Sequence, residues 1–341
     1  MSLKNSNATK IHKILKEKTN NKKVKRIFNL FEKNLYLKED FAVAVSGGPD
    51  SLALSFLSKV YALKYRLNAK FFIVDHKLRK GSAKEAKKVK NILKNLNIQS
   101  EILSWKGPKP KKNIQATARK IRYDLLFQKC KKYNINNLLL GHHLDDLFEN
   151  FFIRLVRGSG LKGLVSLDKK KQINQFNLLR PLLELDKSDL LFISKYVYNF
   201  FISDPTNNEL KYTRVRIRNL LSNLKEEGFD KNKLFLTIKN LKKTNQALSY
   251  YVEKNKKLNS FFNKKNNKSF LSQNFFNKPY EIKFRSMMDL VKLVGGKDNT
   301  VRGTKIDNIL IKIENNTLNK VTLGGCIIKK VNQTVIISKE Y

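Results

Sequence analysis

Cysteine is nearly absent: the 341 residues hold two, Cys130 and Cys326, far apart and with no CxxC pairing. That excludes a disulfide framework and a thiolate-built zinc or iron–sulfur site, and each reads as a small core residue. Acidic residues are scarce, 28 against 70 basic, which leaves a formal net charge of +42 and favours a polyanionic partner such as RNA. No apolar run reaches transmembrane length, and residues 1–23 lack the hydrophobic block of a secretory signal. A soluble cytoplasmic protein with no membrane partner is therefore expected. The lysine- and asparagine-rich start has the charge of a transit peptide, but it contains no arginine before Arg26. The common phosphate loop GxxxxGK[ST] is also missing.

What is present describes a globular protein. Hydrophobic residues make up 41% and are spread along a chain long enough for two domains. Lysine is enriched everywhere, together with asparagine and isoleucine, so much of it is solvated surface. Arginine says more, because its planar fork is chosen for geometry as well as charge. Nine of the thirteen arginines lie between Arg79 and Arg218.

After a basic start and a helix at 24–35, strand and helix patterns alternate. Strands are expected at 41–45, 69–74, 98–104 and 136–140, and helices at 52–64, 82–96, 113–133 and 144–157. Such alternation specifies a doubly wound parallel α/β sheet covered by helices on both faces. From about residue 213 the pattern becomes lysine-rich helix. The polar stretch 260–278 reads as a loop, 281–313 as helical, and 321–338 as strands hinged on Gly324-Gly325. The expected division is a basic extension with a helix (1–37), a nucleotide-binding domain (38–212) and a mainly helical second domain ending in a small β hairpin (213–341).

Polar clusters fall after three of the strands, where ligands bind in such sheets. Ser46-Gly47-Gly48-Pro49-Asp50-Ser51 follows the first strand and enters a helix, forming a backbone nest for an anion. Ser51 sits where the free N–H groups of the first turn point. Asp50 beside a phosphate implies an intervening divalent cation, Mg²⁺. Asp75-His76-Lys77-Leu78-Arg79 follows the second strand, and Gly141-His142-His143-Leu144-Asp145-Asp146 the fourth. Asp145, Asp146 and Glu149 share a helix face by their spacings of three and four. They either cap the helix dipole or hold Mg²⁺ or an ammonium group. His143 either orients a reacting group or is structural. Arg119 and Arg122, three apart on a helix, either grip a triphosphate or are ordinary exposed helix charges. Arg154, Arg157, Arg214, Arg216 and Arg218 form a basic path that fits either phosphate contacts on RNA or a lone basic edge.

Together these motifs resemble the tRNA(Ile)-lysidine synthase family of PP-loop (N-type ATP pyrophosphatase) enzymes. The resemblance covers roughly residues 38–222 and rests on the 46–51 loop, Asp75-His76-x-Leu78-Arg79 and Ala118-Arg119-x-x-Arg122-Tyr123. It continues through Gly141-His142-His143-x-Asp145-Asp146-x-x-Glu149, Arg157-Gly158-Ser159-Gly160 and Asp204-Pro205-x-Asn207…Arg214-x-x-Ile217-Arg218. Four positions depart from the family pattern: Gln115 replaces glutamate, Leu147 glutamine, Asn150 threonine and Val215 asparagine. The third, C-terminal domain of longer members is expected to be absent.

The resemblance implies ATP and Mg²⁺ as cofactors, and a tRNA(Ile) with a CAU anticodon and L-lysine as partners. In the implied reaction the wobble cytidine is adenylated at its C2 oxygen, and lysine then displaces AMP. It further implies Ser46, Gly47, Gly48, Pro49, Asp50, Ser51, Asp75, His76, Arg79, Arg122 and Gly141 around ATP. Asp50, Asp146, Glu149, Arg119 and His143 would serve the chemistry, Asp50 and Asp146 holding the metal. The second domain would bind tRNA, and a homodimer is compatible with the sequence. Two rivals remain: a PP-loop tRNA thiolation ligase, which would need reactive cysteines, and a non-catalytic basic RNA-binding protein.

Overall fold

A computed structural model of the chain describes residues 15–78, 81–108, 113–203, 209–296 and 301–340. Two compact units divide at Leu234 and Phe235. In the first, helix Lys22–Lys33 (α1) leads into β1 (Phe41–Val45), α2 (Pro49–Tyr65), β2 (Ala69–Asp75), α3 (Ser82–Lys94) and β3 (Ser100–Ser104). Then follow α4 (Ile114–Lys132), β4 (Asn137–Leu139), α5 (Leu144–Val156), α6 (Leu161–Leu164), β5 (Lys170–Ile173) and β6 (Phe176–Leu179). The unit closes with α7 (Lys187–Tyr198), α8 (Thr213–Glu226) and the start of α9 (Lys231–Asn259).

The sheet order is β3-β2-β1-β4-β6-β5, parallel except for β5, which pairs antiparallel with β6 at one edge. Lys170, Lys171 and Gln172 leave β5 exposed, a charged edge that resists pairing with another chain. Its polar composition hides it from a hydrophobicity pattern. The chain winds from β1 out to β3 and then returns to the other side of β1, so the topological switch lies between β1 and β4.

Alternation along β1 feeds two cores. Phe41, Val43 and Val45 join the core that holds Leu52, Phe56 and Leu57 of α2 and Val89 of α3. Ala42 joins the opposite core, with Leu126 and Cys130 of α4. Burying each large apolar side chain contributes roughly 1.5–3 kcal/mol. Helix α2 is apolar nearly all round because it lies between the sheet and α7, and Ser194 Oγ of α7 donates to Pro49 O at 2.6 Å.

Two expected boundaries shift. The 1–37 extension is not separate: Val24, Ile27, Phe28 and Phe31 of α1 are buried in the core of β1 and α2. Residues 213–234, expected in the second domain, belong to the first unit. Helix α8 stays there because Val215 and Ile217 are buried and Arg218 is hydrogen-bonded to Glu149 of α5.

The second unit carries β7 (Ser260–Asn263), β8 (Lys268–Leu271), α10 (Gln273–Phe276), α11 (Tyr280–Gly295), α12 (Gly303–Glu314), β9 (Lys320–Leu323), β10 (Cys326–Val331) and β11 (Thr334–Lys339). Its antiparallel order is β7-β8-β11-β10-β9. Met287, Val291, Leu310, Ile328 and Ile337 anchor its core. The 260–278 loop expectation fails, because the segment forms the β7–β8 hairpin. Ser269 and Leu271 alternate into the core there, while the polar run at the turn masks the pattern. Gly324 and Gly325, both at positive φ (64° and 80°), form the two-residue turn between β9 and β10. No helix among the described residues is long and apolar enough to cross a membrane.

Candidate active site

Because the central strands run parallel, the polar segments after β1, β2 and β4 emerge at one edge of the sheet. Gly47 has φ +84°, and a Cβ there would come within 2.6 Å of Val89 Cγ2 and 2.7 Å of Ile202 Cδ1. The position tolerates nothing larger. Gly48 caps α2 without a side chain, so the first-turn N–H groups are left uncovered by any cap. The Ser51 hydroxyl behaves differently from expectation. Its Oγ accepts from the Ser46 and Gly47 N–H groups, both at 3.1 Å, and donates to Gly48 O at 3.0 Å. It therefore ties the loop to itself instead of pointing into the nest. A Cβ built at Gly141 would lie 3.4 Å from the backbone of Asp50 and Ser51, so the end of β4 abuts the start of α2.

His143 is the N-cap of α5. Its backbone N–H donates to Asp146 Oδ2 at 3.0 Å and its Nδ1 accepts from Asp145 N at 3.2 Å, a reciprocal cap. Accepting at Nδ1 leaves the neutral ring with its proton on Nε2. That nitrogen lies 3.8 Å from Asp50 Oδ1 and 3.6 Å from Asp146 Oδ2. One buried imidazole thus faces a carboxylate of the loop and a carboxylate of α5. Burial pushes the Asp146 carboxyl up, but His143, His142 and the backbone N–H of His143 outweigh it and hold the group below the usual range.

The three carboxylates of α5 do not converge on one another. Asp145 is bound by Lys231 Nζ at 2.6 Å, the chain's own ammonium. Glu149 is 2% exposed, and its Oε1 accepts from Arg218 Nε at 2.9 Å. Its Oε2 is buried with no hydrogen-bond partner among the described residues. Burial pushes the Glu149 carboxyl above its ordinary range despite Arg218.

After the second strand, Asp75 is buried and accepts from Lys77 N at 2.9 Å; His76 Nδ1 is buried without a partner among the described residues, and burial lowers that imidazole. Arg119 and Arg122 both lie against the Tyr123 ring, at 5.2 and 5.5 Å from its centroid. Arg122 Nε is buried and unpartnered among the described residues. Arg79 and Asp204-Pro205-x-Asn207 lie outside the described residues.

The arginine path divides. Arg154, Arg157 and Arg214 line one open cavity of about 300 Å³ together with Gln115, Asn150, Ile153, Tyr212 and Thr213. Residues 214–218 are helical, so Arg214 and Arg218, four apart, share a face and Arg216 does not. Arg216 turns instead to Leu210 O and Lys211 O, at 2.9 and 3.0 Å. A second cavity of about 310 Å³ is lined by Arg119, Lys120, Tyr123, Lys171 and Arg180 among others.

Three residues were missed from sequence. Lys187 places Nζ 2.6 and 2.7 Å from the two Asp50 oxygens. Buried Arg180 donates from Nε to His142 Nδ1 at 3.2 Å and from Nη1 to Asp168 O at 2.7 Å. Burial, helped by the Arg180 charge and opposed by Asp146, pushes the His142 imidazole down to about 3, so it stays neutral. Lys231 completes the set. A lysine in a lysine-rich chain carries no local signal, and Arg180 is marked only by being an arginine.

Among the described residues no group of three or more His, Cys, Asp or Glu could hold a metal ion by itself. Asp50 and Asp146 on either side of His143 nevertheless suit Mg²⁺, which usually takes one or two carboxylates and completes its shell with substrate phosphates.

Comparison with known proteins gives a consistent result. The PP-loop domain family matches residues 16–225. A tRNA(Ile)-lysidine synthase of Wolbachia pipientis wMel is 34% identical over 321 residues, covering 92% of this chain and 73% of that protein. One from Orientia tsutsugamushi (strain Boryong) is 33% identical, covering 92% and 72%. Among solved structures, the U34-tRNA thiolase NcsA from Methanococcus maripaludis with its [4Fe-4S] cluster aligns with a TM-score of 0.56 at 16% identity, covering 65% of this chain and 78% of that one. That likeness is one of fold alone.

Proposed function

The chain belongs to the PP-loop domain family and, within it, to the tRNA(Ile)-lysidine synthases, and from that premise we propose that it uses ATP to ligate L-lysine to C2 of the wobble cytidine of a tRNA(Ile) with a CAU anticodon. The observation that carries this reading is the meeting of the 46–51 loop with α5, where His143 faces both Asp50 and Asp146. The cytidine C2 oxygen attacks the α-phosphorus and pyrophosphate leaves. The ε-amine of lysine then attacks C2, and AMP carries away the oxygen. The Ser46–Ser51 loop and the N-terminus of α2 cradle the departing phosphates. Asp50 and Asp146 would hold Mg²⁺, which supplies charge neutralisation on the leaving pyrophosphate.

Arg119 and Arg122 are assigned to the nucleotide, where a planar fork matches phosphate oxygens. Free lysine, with a pKa of about 10.4, reaches the site protonated. Glu149 is the fitting acceptor: its carboxyl is raised by burial and its Oε2 is unpartnered among the described residues. His143 is less suited, since its Nδ1 is engaged by Asp145 N. Arg154, Arg157 and Arg214, lining one cavity, are assigned to RNA phosphates, with the second unit as a further tRNA-binding surface and the cytoplasm as the place of work.

Thiolation is disfavoured, because Cys130 and Cys326 are buried and burial pushes the Cys130 thiol up to about 12. The test measures AMP and pyrophosphate release and lysine incorporation with tRNA, lysine and ATP, beside the Asp146→Asn variant. Pyrophosphate release requiring ATP and tRNA, AMP release and lysine incorporation requiring lysine as well, and loss of all three in the variant are expected. Turnover with a sulfur donor but not lysine, or tRNA binding with no ATP turnover, would overturn the proposal.

A further inference from the structure

The 46–51 loop contains no lysine, yet an ammonium group stands at its mouth. Lys187 is the first residue of α7, where a cation opposes the helix dipole. The carboxylates at the start of α7 have other cations, Arg26 at 2.7 Å from Asp189 and Lys231 at 3.7 Å from Asp186; the partner of Lys187 is Asp50, the second residue of α2. Lys187 Nζ reaches both carboxylate oxygens, at 2.6 and 2.7 Å, and both side chains keep solvent access, at 35% and 25%. The lysine therefore occupies the face of Asp50 that a divalent cation would need. An ammonium held on both oxygens and a divalent cation on the same carboxylate compete for charge and space.

We propose that Lys187 is the phosphate-binding lysine of this loop, supplied from a distant helix, which neutralises Asp50 in the nucleotide-free protein and turns its ammonium to the β- and γ-phosphates when that carboxylate serves a divalent cation. This inference rests on the reading of the loop as an ATP site. The exchange conserves charge at every stage. Asp50 is never left beside phosphate without a cation, and Lys187 is never left without an anion. Its long stem allows the swing, since Asp50 itself lies within the Ser46–Ser51 loop.

The test is equilibrium binding of an α,β-methylene analogue of ATP, of pyrophosphate and of AMP, with and without Mg²⁺. The proteins are wild type, Lys187→Met and Lys187→Arg, each verified as folded by its unfolding midpoint. Lys187→Met is expected to weaken the ATP analogue and pyrophosphate about 10- to 100-fold in Mg²⁺, the scale of one lost charged hydrogen bond. AMP affinity should be unchanged, Lys187→Arg should restore part of the loss, and the difference should shrink without Mg²⁺, where Lys187 stays on Asp50. Equal affinity of wild type and Lys187→Met for the ATP analogue in Mg²⁺ would overturn the proposal, as would an equal loss for AMP. If wild type binds neither the ATP analogue nor pyrophosphate, the nucleotide-site reading itself fails, an outcome separate from a failure at Lys187.

Discussion

His142 and Glu149 titrate in opposite directions for one reason: each is removed from water, and burial penalises the charged form. For His142 the folded value, about 3, lies below the ordinary 6.5. The unfolded chain then binds the proton first, so stability is fully present above pH 6.5 and is lost as pH falls toward 3. His142→Asn should flatten this limb, the wild type losing on the order of 1 kcal/mol more per pH unit in denaturant titrations across that window. Gly47 carries a second expectation at this scale. Gly47→Ala forces a side chain into positive φ and against Val89 and Ile202, a cost of roughly 1–3 kcal/mol in unfolding free energy, with loss of ATP-analogue binding. An alanine variant of wild-type stability that still binds nucleotide would contradict the account of the loop.

At the level of elements, one ion pair ties α8 to α5. Arg218 donates from Nε and Nη2 to Glu149 Oε1, both at 2.9 Å, while the carboxyl is buried and the guanidinium half-exposed. Removing the guanidinium strands a buried carboxylate, so Arg218→Ala should destabilise by about 1–3 kcal/mol, screening on the Arg218 side keeping it from the upper limit. Adding Glu149→Gln should recover part of the loss, because the stranded charge is then gone. Additive penalties in that double-mutant cycle would deny the pair its role. Strands and helices were legible where their patterns are strong: a continuous apolar run in β1, all-round apolarity in α2 and, in the second unit, a glycine pair at the β9–β10 turn. The β5 edge and the β7–β8 hairpin were not, since lysine and glutamine face outward in β5 and a lysine- and asparagine-rich turn interrupts the short β7 and β8, leaving hydrophobic periodicity little to act on.

On the scale of the whole molecule the dominant quantity is the +42 net charge. tRNA affinity should fall steeply with salt, log K against log salt being linear with a slope set by the phosphates neutralised. Arg154→Ala and Arg157→Ala should each reduce that slope by about 1 without altering ATP-analogue affinity, because both line the cavity beyond the phosphate loop. A salt slope untouched in either variant, read by filter binding at several ionic strengths, would remove those arginines from the RNA surface. The sequence by itself determined what depends on neighbours along the chain: the parallel α/β architecture, the phosphate loop, the carboxylates at the start of α5 and the family they imply. Only the tertiary structure decided which cation meets which anion. Lys187 finds Asp50 across 137 positions and Lys231 finds Asp145 across 86, while Arg218 finds Glu149 across 69. Ion pairing is set by distance in space between side chains with no local signature, and in a chain with 70 basic residues that choice is made by packing alone.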